Sequence, residues 1–199
     1  HQDGKATICA LDLGGDVRAV YKALNDFYKE AVPNPHLHIH VRPRYKNTVV
    51  INDHAYTDTE FALRLAISMG AECITVLGGT GSRLDHVLGN IELLGIGLEL
   101  GVEIELLDAN NRIRMTDHGM VLKKEEQFGK YVSLIPYTAQ VEHLYLAGFK
   151  YPLADYCLKG FCSIGVSNEI TEEQAEITFE NGILIVIESR DDAAMADES

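Results

Sequence analysis

The chain has 199 residues and a mass of 22.0 kDa, enough for one large domain or two small ones. Its hydrophobic fraction of 46% and charged fraction of 24% argue against disorder, collagen-like repeats and small disulfide-rich scaffolds. The formal net charge of −13 opposes nonspecific binding to a nucleic-acid backbone or an anionic membrane. We therefore expect no nucleic acid and no membrane among its partners. An anionic substrate would need a local binding site or a cation.

The four cysteines predict reduced thiols rather than a metal site or a redox motif. No CxxC pair occurs, and the spacing between Cys157 and Cys162 is CxxxxC without a nearby His. No segment approaches the roughly 20 apolar residues that a membrane helix needs. No charged-then-apolar leader opens the sequence. Together these patterns predict a cytoplasmic protein.

Apolar periodicity in the first half of the chain predicts strands that alternate with helices. The predicted elements are a strand at 7–11, a helix at 17–28, strands at 37–41 and 48–51, a helix at about 56–69, a strand at 73–77, a helix at about 86–100 and a strand at 102–107. Thr57-Asp58-Thr59-Glu60 has the pattern of a capping box, in which Thr57 accepts from the Glu60 amide and the Glu60 carboxylate reaches back. Gly70 and Gly101 are expected to end two of the helices. Alternating strands and helices favour parallel βαβ units.

After residue 110 the helical period disappears and short strand-like runs take over. These runs cover residues 113–115, 121–123, 131–135, 141–145, 165–167, 175–179 and 183–188. Asn181-Gly182, between the last two runs, is typical of a two-residue hairpin turn. The predicted fold class is α/β: a Rossmann-like parallel sheet with flanking helices over 1–110, then an all-β sandwich over 111–190. The acidic segment 191–199 predicts a disordered tail.

A glycine-rich segment follows the predicted strand at 73–77, at the sheet edge where α/β folds bind ligands. Its residues are Gly78, Gly79, Thr80, Gly81, Ser82, Arg83, Leu84, Asp85 and His86. The glycines would let backbone amides approach phosphate oxygens, and Arg83 adds a forked donor. The segment matches neither a P-loop nor a GxGxxG motif, since it lacks the Lys and has Leu84 in place of the third glycine. It indicates an anion-binding loop or, alternatively, a tight turn with Asp85 as the helix N-cap.

Two further groups could bind metal. Asp58 and Asp85 are predicted to lie near the same sheet edge, and one or two carboxylates plus substrate phosphates suit Mg²⁺. The alternative is that each carboxylate complements a helix dipole. His36, His38 and His40 alternate along a candidate strand, so they either hold a transition metal or form a half-exposed strand face.

Four motifs in order resemble those of the thiamine pyrophosphokinase (thiamine diphosphokinase) family. They are Tyr56–Glu60, Gly78–His86 with Asn90-Ile91, Gly148–Leu153 and Gly165–Glu169, and the resemblance covers about residues 53–189. It implies an ATP-dependent transfer of a diphosphoryl group to thiamine, giving thiamine diphosphate and AMP, with Mg²⁺. It also implies a homodimer whose sites combine the α/β domain of one subunit with the β domain of the other.

The resemblance also assigns roles to individual residues. Asp58 would bind Mg²⁺ or position the attacking hydroxyl, and Ser167 and Asn168 would lie beside the thiamine. The nucleotide and diphosphate site would consist of Gly78, Gly79, Thr80, Gly81, Ser82, Arg83, Asp85 and His86, with Asp58, Arg83 and Asp85 catalytic and Asp58 and Asp85 as metal ligands. Positioning and charge neutralisation suffice for such a transfer, without a covalent nucleophile.

The sequence departs from the family pattern at two places. Ala55 stands where the family usually has a carboxylate, and no GDFDS segment is found upstream. Fewer carboxylates should weaken metal binding and turnover more than folding. Two alternatives to an active enzyme therefore remain: an impaired relative that binds thiamine or its diphosphate, and an unrelated α/β nucleotide-binding protein whose β domain serves only dimerisation.

Overall fold

The computed structural model describes residues 5–9, 36–40, 49–51, 54–68 and 70–191. The chain divides into two compact units between Leu106 and Leu107. The first unit mixes strands and helices, and the second is built from strands. No helix within the described ranges has the length and hydropathy of a membrane span. Among the described residues, Cys73, Cys157 and Cys162 form no disulfide bond.

The first unit is organised around parallel strands. Its described elements are β1 (Lys5–Cys9), β2 (His36–His40), β3 (Val49–Ile51), β4 (His54–Tyr56), α1 (Asp58–Ser68), β5 (Cys73–Leu77), α2 (Leu84–Glu92), α3 (Gly95–Leu100) and β6 (Glu103–Leu107). Strand β2 pairs in parallel with both β1 and β5, and the order within this unit is β1-β2-β5-β6. Strands β3 and β4 pair antiparallel in a separate ribbon. The predicted parallel pairing is thus confirmed, whereas the predicted helix at 17–28 lies outside the described residues and the Rossmann-like description stays a prediction.

Helix α1 begins and ends where the sequence signals predict. The Glu60 amide donates to Thr57 Oγ1 at 3.2 Å, which is one half of the capping box. The Glu60 carboxylate does not serve the other half, because it accepts from Arg64 Nε at 2.9 Å. After the helix, Gly70 adopts φ 88°, a left-handed conformation that favours glycine. Leu63 and Ala66 of α1 are buried, as is the centre of β5.

The single helix predicted at 86–100 is instead two helices, α2 and α3. Leu93 and Leu94 separate them, and the Gly97 amide donates back only three residues, to Leu94 O at 3.0 Å. Glycine has a low helix propensity, so Gly95 and Gly97 disfavour one continuous helix through this segment. A Cβ at Gly97 would overlap Val102 O, so this glycine allows α3 to pack closely against the chain that enters β6.

The second unit consists of antiparallel strands in two sheets. Its elements are β7 (Asn111–Thr116), β8 (Met120–Lys123), a 3₁₀ turn (Lys124–Glu126), β9 (Tyr131–Pro136), β10 (Gln140–Ala147), β11 (Leu153–Lys159), β12 (Asn168–Glu169), β13 (Gln174–Thr178) and β14 (Leu184–Ser189). Within this unit the strand orders are β7-β14-β9-β12 and β11-β10-β13-β8. Side chains from both sheets form one buried cluster, including Leu134, Leu144, Ile177 and Val186. That these two sheets form a β-sandwich stays a prediction.

The hairpin predicted at Asn181-Gly182 is wrong. Strand β13 pairs with β10 and β8, whereas β14 pairs with β7 and β9, so the turn carries the chain from one sheet to the other. Ile177 of β13 and Val186 of β14 enter the same buried cluster from different sheets, so the two strands bury their apolar side chains against each other rather than pairing side by side. Gly182 has φ 113°, a conformation that β-branched and bulky residues rarely adopt.

Two other strand assignments also differ from the prediction. Residues 165–167 are not a strand, because Ser167 has φ 59° and the extended chain begins only at Asn168. Strand β11 was not predicted, since its side chains are largely exposed or half-buried on both faces and its sequence shows no alternation.

A buried ion cluster links β14 to β7. The Glu188 side chain is only 2% exposed and accepts from Arg114, with Arg112 at 3.7 Å. The Phe128 amide donates to the other carboxylate oxygen of Glu188 at 2.9 Å. Both oxygens of this buried carboxylate therefore have partners, as burial of a charge requires.

Candidate active site

The loop between β5 and α2 is held tightly against the first unit. Gly78 has φ 75°, and a Cβ at the buried Gly79 would lie 3.1 Å from Leu106 Cδ2 and 3.3 Å from Val76 Cγ1. These spacings are tighter than ordinary van der Waals contacts. Gly78 therefore has a conformation that glycine favours, and a side chain at Gly79 would require Leu106 and Val76 to shift slightly.

Asn90 of α2 fixes this loop from the helix side. Its Nδ2 donates to Gly79 O at 2.7 Å, which ties the loop to the second turn of the helix. Asn90 lies in one of the motifs that resemble the family, and between the apolar Val87 and Ile91, but the motif assigns it no role. A polar residue within an apolar stripe was the signal that could have identified it.

The remaining loop residues face solvent to different extents. Gly78, Gly81, Ser82 and His86 are exposed, and Thr80 is half-buried. An exposed glycine-rich backbone directly before a helix N-terminus can present amides to an anion. The structure thus brings the predicted nucleotide-binding residues 78–86 together in one short segment.

Arg83 and Asp85 form an ion pair at the end of this loop. Arg83 Nε donates to Asp85 Oδ1 at 3.1 Å, and a terminal nitrogen of Arg83 donates to Oδ2. The hydrogen bond from Arg83 lowers the pKa of Asp85, and the same contact raises the pKa of Arg83. The two side chains are 52% and 62% exposed, so both groups remain accessible to a ligand.

The alternative reading of Asp85 as the helix N-cap is wrong. Arg83 occupies the N-cap position without a side-chain capping bond, and Asp85 lies in the first turn. Its Oδ1 accepts from the adjacent His86 amide at 3.0 Å. A carboxylate in this position is favoured by the helix dipole but is free to exchange Arg83 for another cation.

Of the side chains predicted to bind metal, only that of Asp85 is among the described ones. Asp58 is the first residue of α1, and His36, His38 and His40 lie on β2, but the side chains of these residues are outside the described ones. Among the described side chains, no group of three or more His, Cys, Asp and Glu could hold a metal ion. Asp85 offers one exposed carboxylate, which fits a Mg²⁺ ion that takes its other ligands from phosphates and water.

The two residues predicted beside thiamine lie in the second unit and differ in exposure. Ser167 is exposed with φ 59°, and its amide donates to Ser133 Oγ at 3.0 Å. Asn168 is only 7% exposed, and its side chain is bonded to the backbone of Tyr151. Tyr151 itself is exposed, and sequence reasoning gave it no role although it lies inside a family motif.

Charged residues flank this part of the second unit. Lys150 Nζ donates to Glu169 Oε1 at 2.8 Å, and Lys130 lies 3.8 Å from the other oxygen. The hydrogen bond from Lys150 lowers the pKa of Glu169, and the carboxylate raises the pKa of Lys150. The surface beside Ser167 and Tyr151 therefore carries both an aromatic ring and paired charges.

Two family models match separate parts of the chain. Residues 34–106 match the catalytic domain of thiamin pyrophosphokinase, and residues 117–184 match its vitamin B1 binding domain. The matched ranges include the loop between β5 and α2 and the pair Ser167-Asn168.

A curated thiamine pyrophosphokinase also matches the chain. Thiamine pyrophosphokinase of Bacillus subtilis (strain 168) is 36% identical over 135 residues, which cover 68% of this chain and 63% of that protein. The aligned region thus spans less than two thirds of the curated relative.

Solved structures of similar proteins resemble the whole described fold. The crystal structure of Bacillus subtilis thiamine pyrophosphokinase matches with a TM-score of 0.67 and 30% identity, covering 90% of this chain and 77% of that one. That of an Enterococcus faecalis thiamin pyrophosphokinase family protein matches with a TM-score of 0.64 and 30% identity, covering 91% and 78%. With its glycine loop, its matched domains and these structural relatives, the chain belongs to the thiamine pyrophosphokinase family.

Proposed function

We propose that this protein transfers the diphosphoryl group of ATP to the hydroxyl of thiamine, releasing thiamine diphosphate and AMP. The observation that carries the proposal is the loop Gly78–Arg83, which packs closely at Gly79 and leaves Arg83 exposed beside a helix N-terminus. Such a loop suits a polyphosphate, because backbone amides and a guanidinium can contact several phosphate oxygens at once. Membership of the family supplies the acceptor, thiamine.

The residues of the first unit would bind and orient ATP. Gly78, Gly79, Thr80, Gly81, Ser82 and His86 would contact the nucleotide and its phosphates, and Arg83 would neutralise charge as the bond to the leaving AMP lengthens. Asp58 and Asp85 would hold Mg²⁺, which when bound shields the negative charge of the triphosphate. Asp85 would exchange its contact with Arg83 for that ion, and this exchange would free the guanidinium for phosphate.

The second unit would bind thiamine. Ser167, exposed beside Tyr151, would contact the substrate, and Asn168 would act next to it. Because the transfer needs no covalent nucleophile, its rate depends on alignment of the two substrates and on exclusion of water. Ala55, where the family usually has an acid, would lower metal affinity and turnover without preventing the reaction.

The finer architecture and assembly are part of the same proposal. We infer a Rossmann-like nucleotide-binding domain over 1–110, a β-sandwich over 111–190 that binds thiamine and dimerises, a homodimeric assembly and a cytoplasmic location. The tail predicted at 191–199 lies, beyond residue 191, outside the described residues. The matched region covers 63% of the curated relative, so the activity of the whole protein is inferred from its parts. The parallel pairing of β1, β2 and β5 and the shared core of the two later sheets support the two architectures.

The test is to incubate the protein with ATP, Mg²⁺ and thiamine and to identify the products by mass. We expect AMP and thiamine diphosphate in equal amounts. Arg83→Ala should lower kcat/KM about 100-fold, since it removes one charge-stabilising donor. Arg64→Ala is the matched control: it removes a surface ion pair with Glu60 and should leave the rate within about twofold.

Other outcomes separate the alternatives. Release of ADP in place of AMP would contradict diphosphoryl transfer. Calorimetric binding of thiamine without product would instead support the impaired relative that serves as a binding module. Equal activity of Arg83→Ala and Arg64→Ala would contradict the role of the loop.

A further inference from the structure

Asn168 makes a reciprocal pair of hydrogen bonds with the backbone of one residue, Tyr151. The Tyr151 amide donates to Asn168 Oδ1 at 3.0 Å, and Asn168 Nδ2 donates to Tyr151 O at 2.8 Å. The Glu169 amide donates to the same Oδ1 at 2.9 Å. Since the oxygen faces two amides and the nitrogen faces a carbonyl, the orientation of the side-chain amide is fixed by its partners.

This arrangement leaves Asn168 little capacity to bind a ligand. The residue is 7% exposed, its oxygen already accepts two hydrogen bonds, and one of its two N–H groups is used. A small aromatic substrate would need to reach a buried group that has partners on both polar atoms. A direct contact with thiamine is therefore disfavoured by the geometry.

Tyr151, by contrast, is placed to meet a ligand. Tyr151 lies between the isolated β-bridge of Phe149 with Ile170 and the start of β11. Its backbone N–H and C=O are therefore hydrogen-bonded to the Asn168 side chain rather than to a neighbouring strand. Its side chain is among the exposed large hydrophobic ones, at 59%. The preceding residue is fixed as well, because the Lys150 amide donates to Glu169 O at 2.9 Å.

The Tyr151 ring suits a cationic, aromatic molecule. Lys150 Nζ lies 5.6 Å from the ring centroid, which shows that a cation can approach this ring. Thiamine carries a positively charged thiazolium ring and an aromatic pyrimidine ring. An exposed tyrosine can bind such a molecule by stacking and by cation–π attraction, provided that its backbone is held in place.

We propose that Asn168 is a positioning residue that sets the affinity for thiamine through Tyr151, rather than a residue that touches thiamine. The inference rests on the proposed function and deepens it. It replaces a direct role of Asn168 with an indirect one, in which the buried amide fixes the backbone and the exposed ring contacts the substrate.

The test is a double-mutant cycle on thiamine affinity, with Asn168→Ala, Tyr151→Ala and the double variant. We expect each single variant to raise the Kd and KM for thiamine about tenfold and to leave the KM for ATP within about twofold. If Asn168 acts through Tyr151, the double variant should bind thiamine no more weakly than Tyr151→Ala alone. Additive losses would overturn the inference and indicate direct contact.

Two further measurements keep the test decisive if Asn168→Ala folds poorly. Tyr151→Leu changes only an exposed side chain and should also weaken thiamine binding about tenfold, so unchanged affinity would overturn the inference. Asn168→Leu removes the acceptor for the Tyr151 and Glu169 amides while keeping a side chain of similar size, and in this variant the Tyr151 amide should exchange its hydrogen faster than in the unaltered protein. Unchanged exchange would show that Asn168 does not hold this backbone.

The control is Asn181→Ala, an exposed asparagine of the same unit whose side chain contacts Glu142. We expect it to leave thiamine affinity and Tyr151 exchange unchanged. Absence of thiamine binding by the unaltered protein would contradict the proposed function itself. Normal binding with additive losses in the cycle would contradict only the inference about Asn168.

Discussion

Gly79 shows how a single missing side chain shapes the candidate site. Its carbonyl accepts a hydrogen bond from Asn90, and a methyl group on its Cα would lie closer to Leu106 and Val76 than an ordinary van der Waals contact. Because the loop is fixed on both sides, its backbone amides need little reordering when an anion binds. This lowers the entropic cost of binding.

We predict that Gly79→Ala weakens ATP binding and destabilises the fold. The new Cβ must displace Leu106 or Val76, which should cost about 1 kcal/mol of unfolding free energy and shift the loop. Urea denaturation and the KM for ATP measure the two effects. The control is Gly89→Ala in α2: nothing lies within 4 Å of its Cβ, so the variant should gain up to about 1 kcal/mol from helix propensity. A Gly79→Ala protein as stable as the unaltered one would contradict the packing argument.

At the scale of elements, polar pairs join strands at two places in the second unit. The first is Glu188 of β14, whose carboxylate forms ion pairs with Arg112 and Arg114 of β7. The second is the contact of His143 Nδ1 in β10 with Asp155 Oδ1 in β11 at 2.6 Å. Both His143 and Asp155 have positive φ, of 53° and 50°, so this cross-strand pair lies in a locally irregular stretch of the sheet.

We predict that Glu188→Gln lowers the unfolding free energy by about 2 kcal/mol. The substitution keeps the shape of the side chain but leaves Arg114 without its counterion in a largely buried position. Chemical denaturation at neutral pH measures the loss. Glu176→Gln on the exposed face of β13 is the matched control and should change stability by less than about 0.5 kcal/mol. Equal stabilities of the two variants would contradict the role assigned to the buried pair.

We predict that the pair of His143 and Asp155 stabilises the protein at acidic more than at alkaline pH. The hydrogen bond to Asp155, with the nearby charges of Glu180 and Glu142, raises the pKa of His143. The folded protein therefore favours the protonated imidazole of His143. The pair adds its full share to the unfolding free energy below the ordinary histidine pKa near 6.5, and this share is lost as pH rises through the pKa of the folded state. His143→Gln should therefore lower the urea midpoint at pH 5.5 and not at pH 8.5. An equal loss at both pH values would contradict this linkage.

At the scale of the whole molecule, the proposed function would pair an acidic chain with one anionic and one cationic substrate. The net charge of −13 would repel ATP at long range, whereas Arg83 and the loop amides would act at contact distance. The same acidic surface would attract cationic thiamine. Both substrates could bind to one protein because screening limits the reach of surface charges to about 10 Å.

We predict that thiamine raises the melting temperature of the protein in a concentration-dependent way. A ligand that binds only the folded state at 100 times its Kd adds about 2.7 kcal/mol to the unfolding free energy. Differential scanning fluorimetry measures the shift. Choline, a cation without aromatic rings, is the control and should produce a clearly smaller shift. No shift with thiamine at millimolar concentration would contradict thiamine as a ligand of this protein.

Local signals in the sequence determined the ends of α1, the position of β5 and the placement of the glycine loop before a helix. Each depends on the conformational preference of one or two residues, such as the Thr57 hydroxyl and the left-handed Gly70. The ordered motifs also indicated the family, because they preserve side chains and glycines at fixed positions along the chain.

Only the tertiary structure decided which distant groups meet. Asn90 is 11 residues from Gly79, and Asn168 is 17 residues from Tyr151, and no local pattern encodes either hydrogen bond. The turn at Asn181-Gly182 has the local preference of a hairpin, yet burial of β13 and β14 in a shared core sends them to different sheets. Backbone preference acts over a few residues, whereas burial of apolar surface selects strand partners across the whole unit.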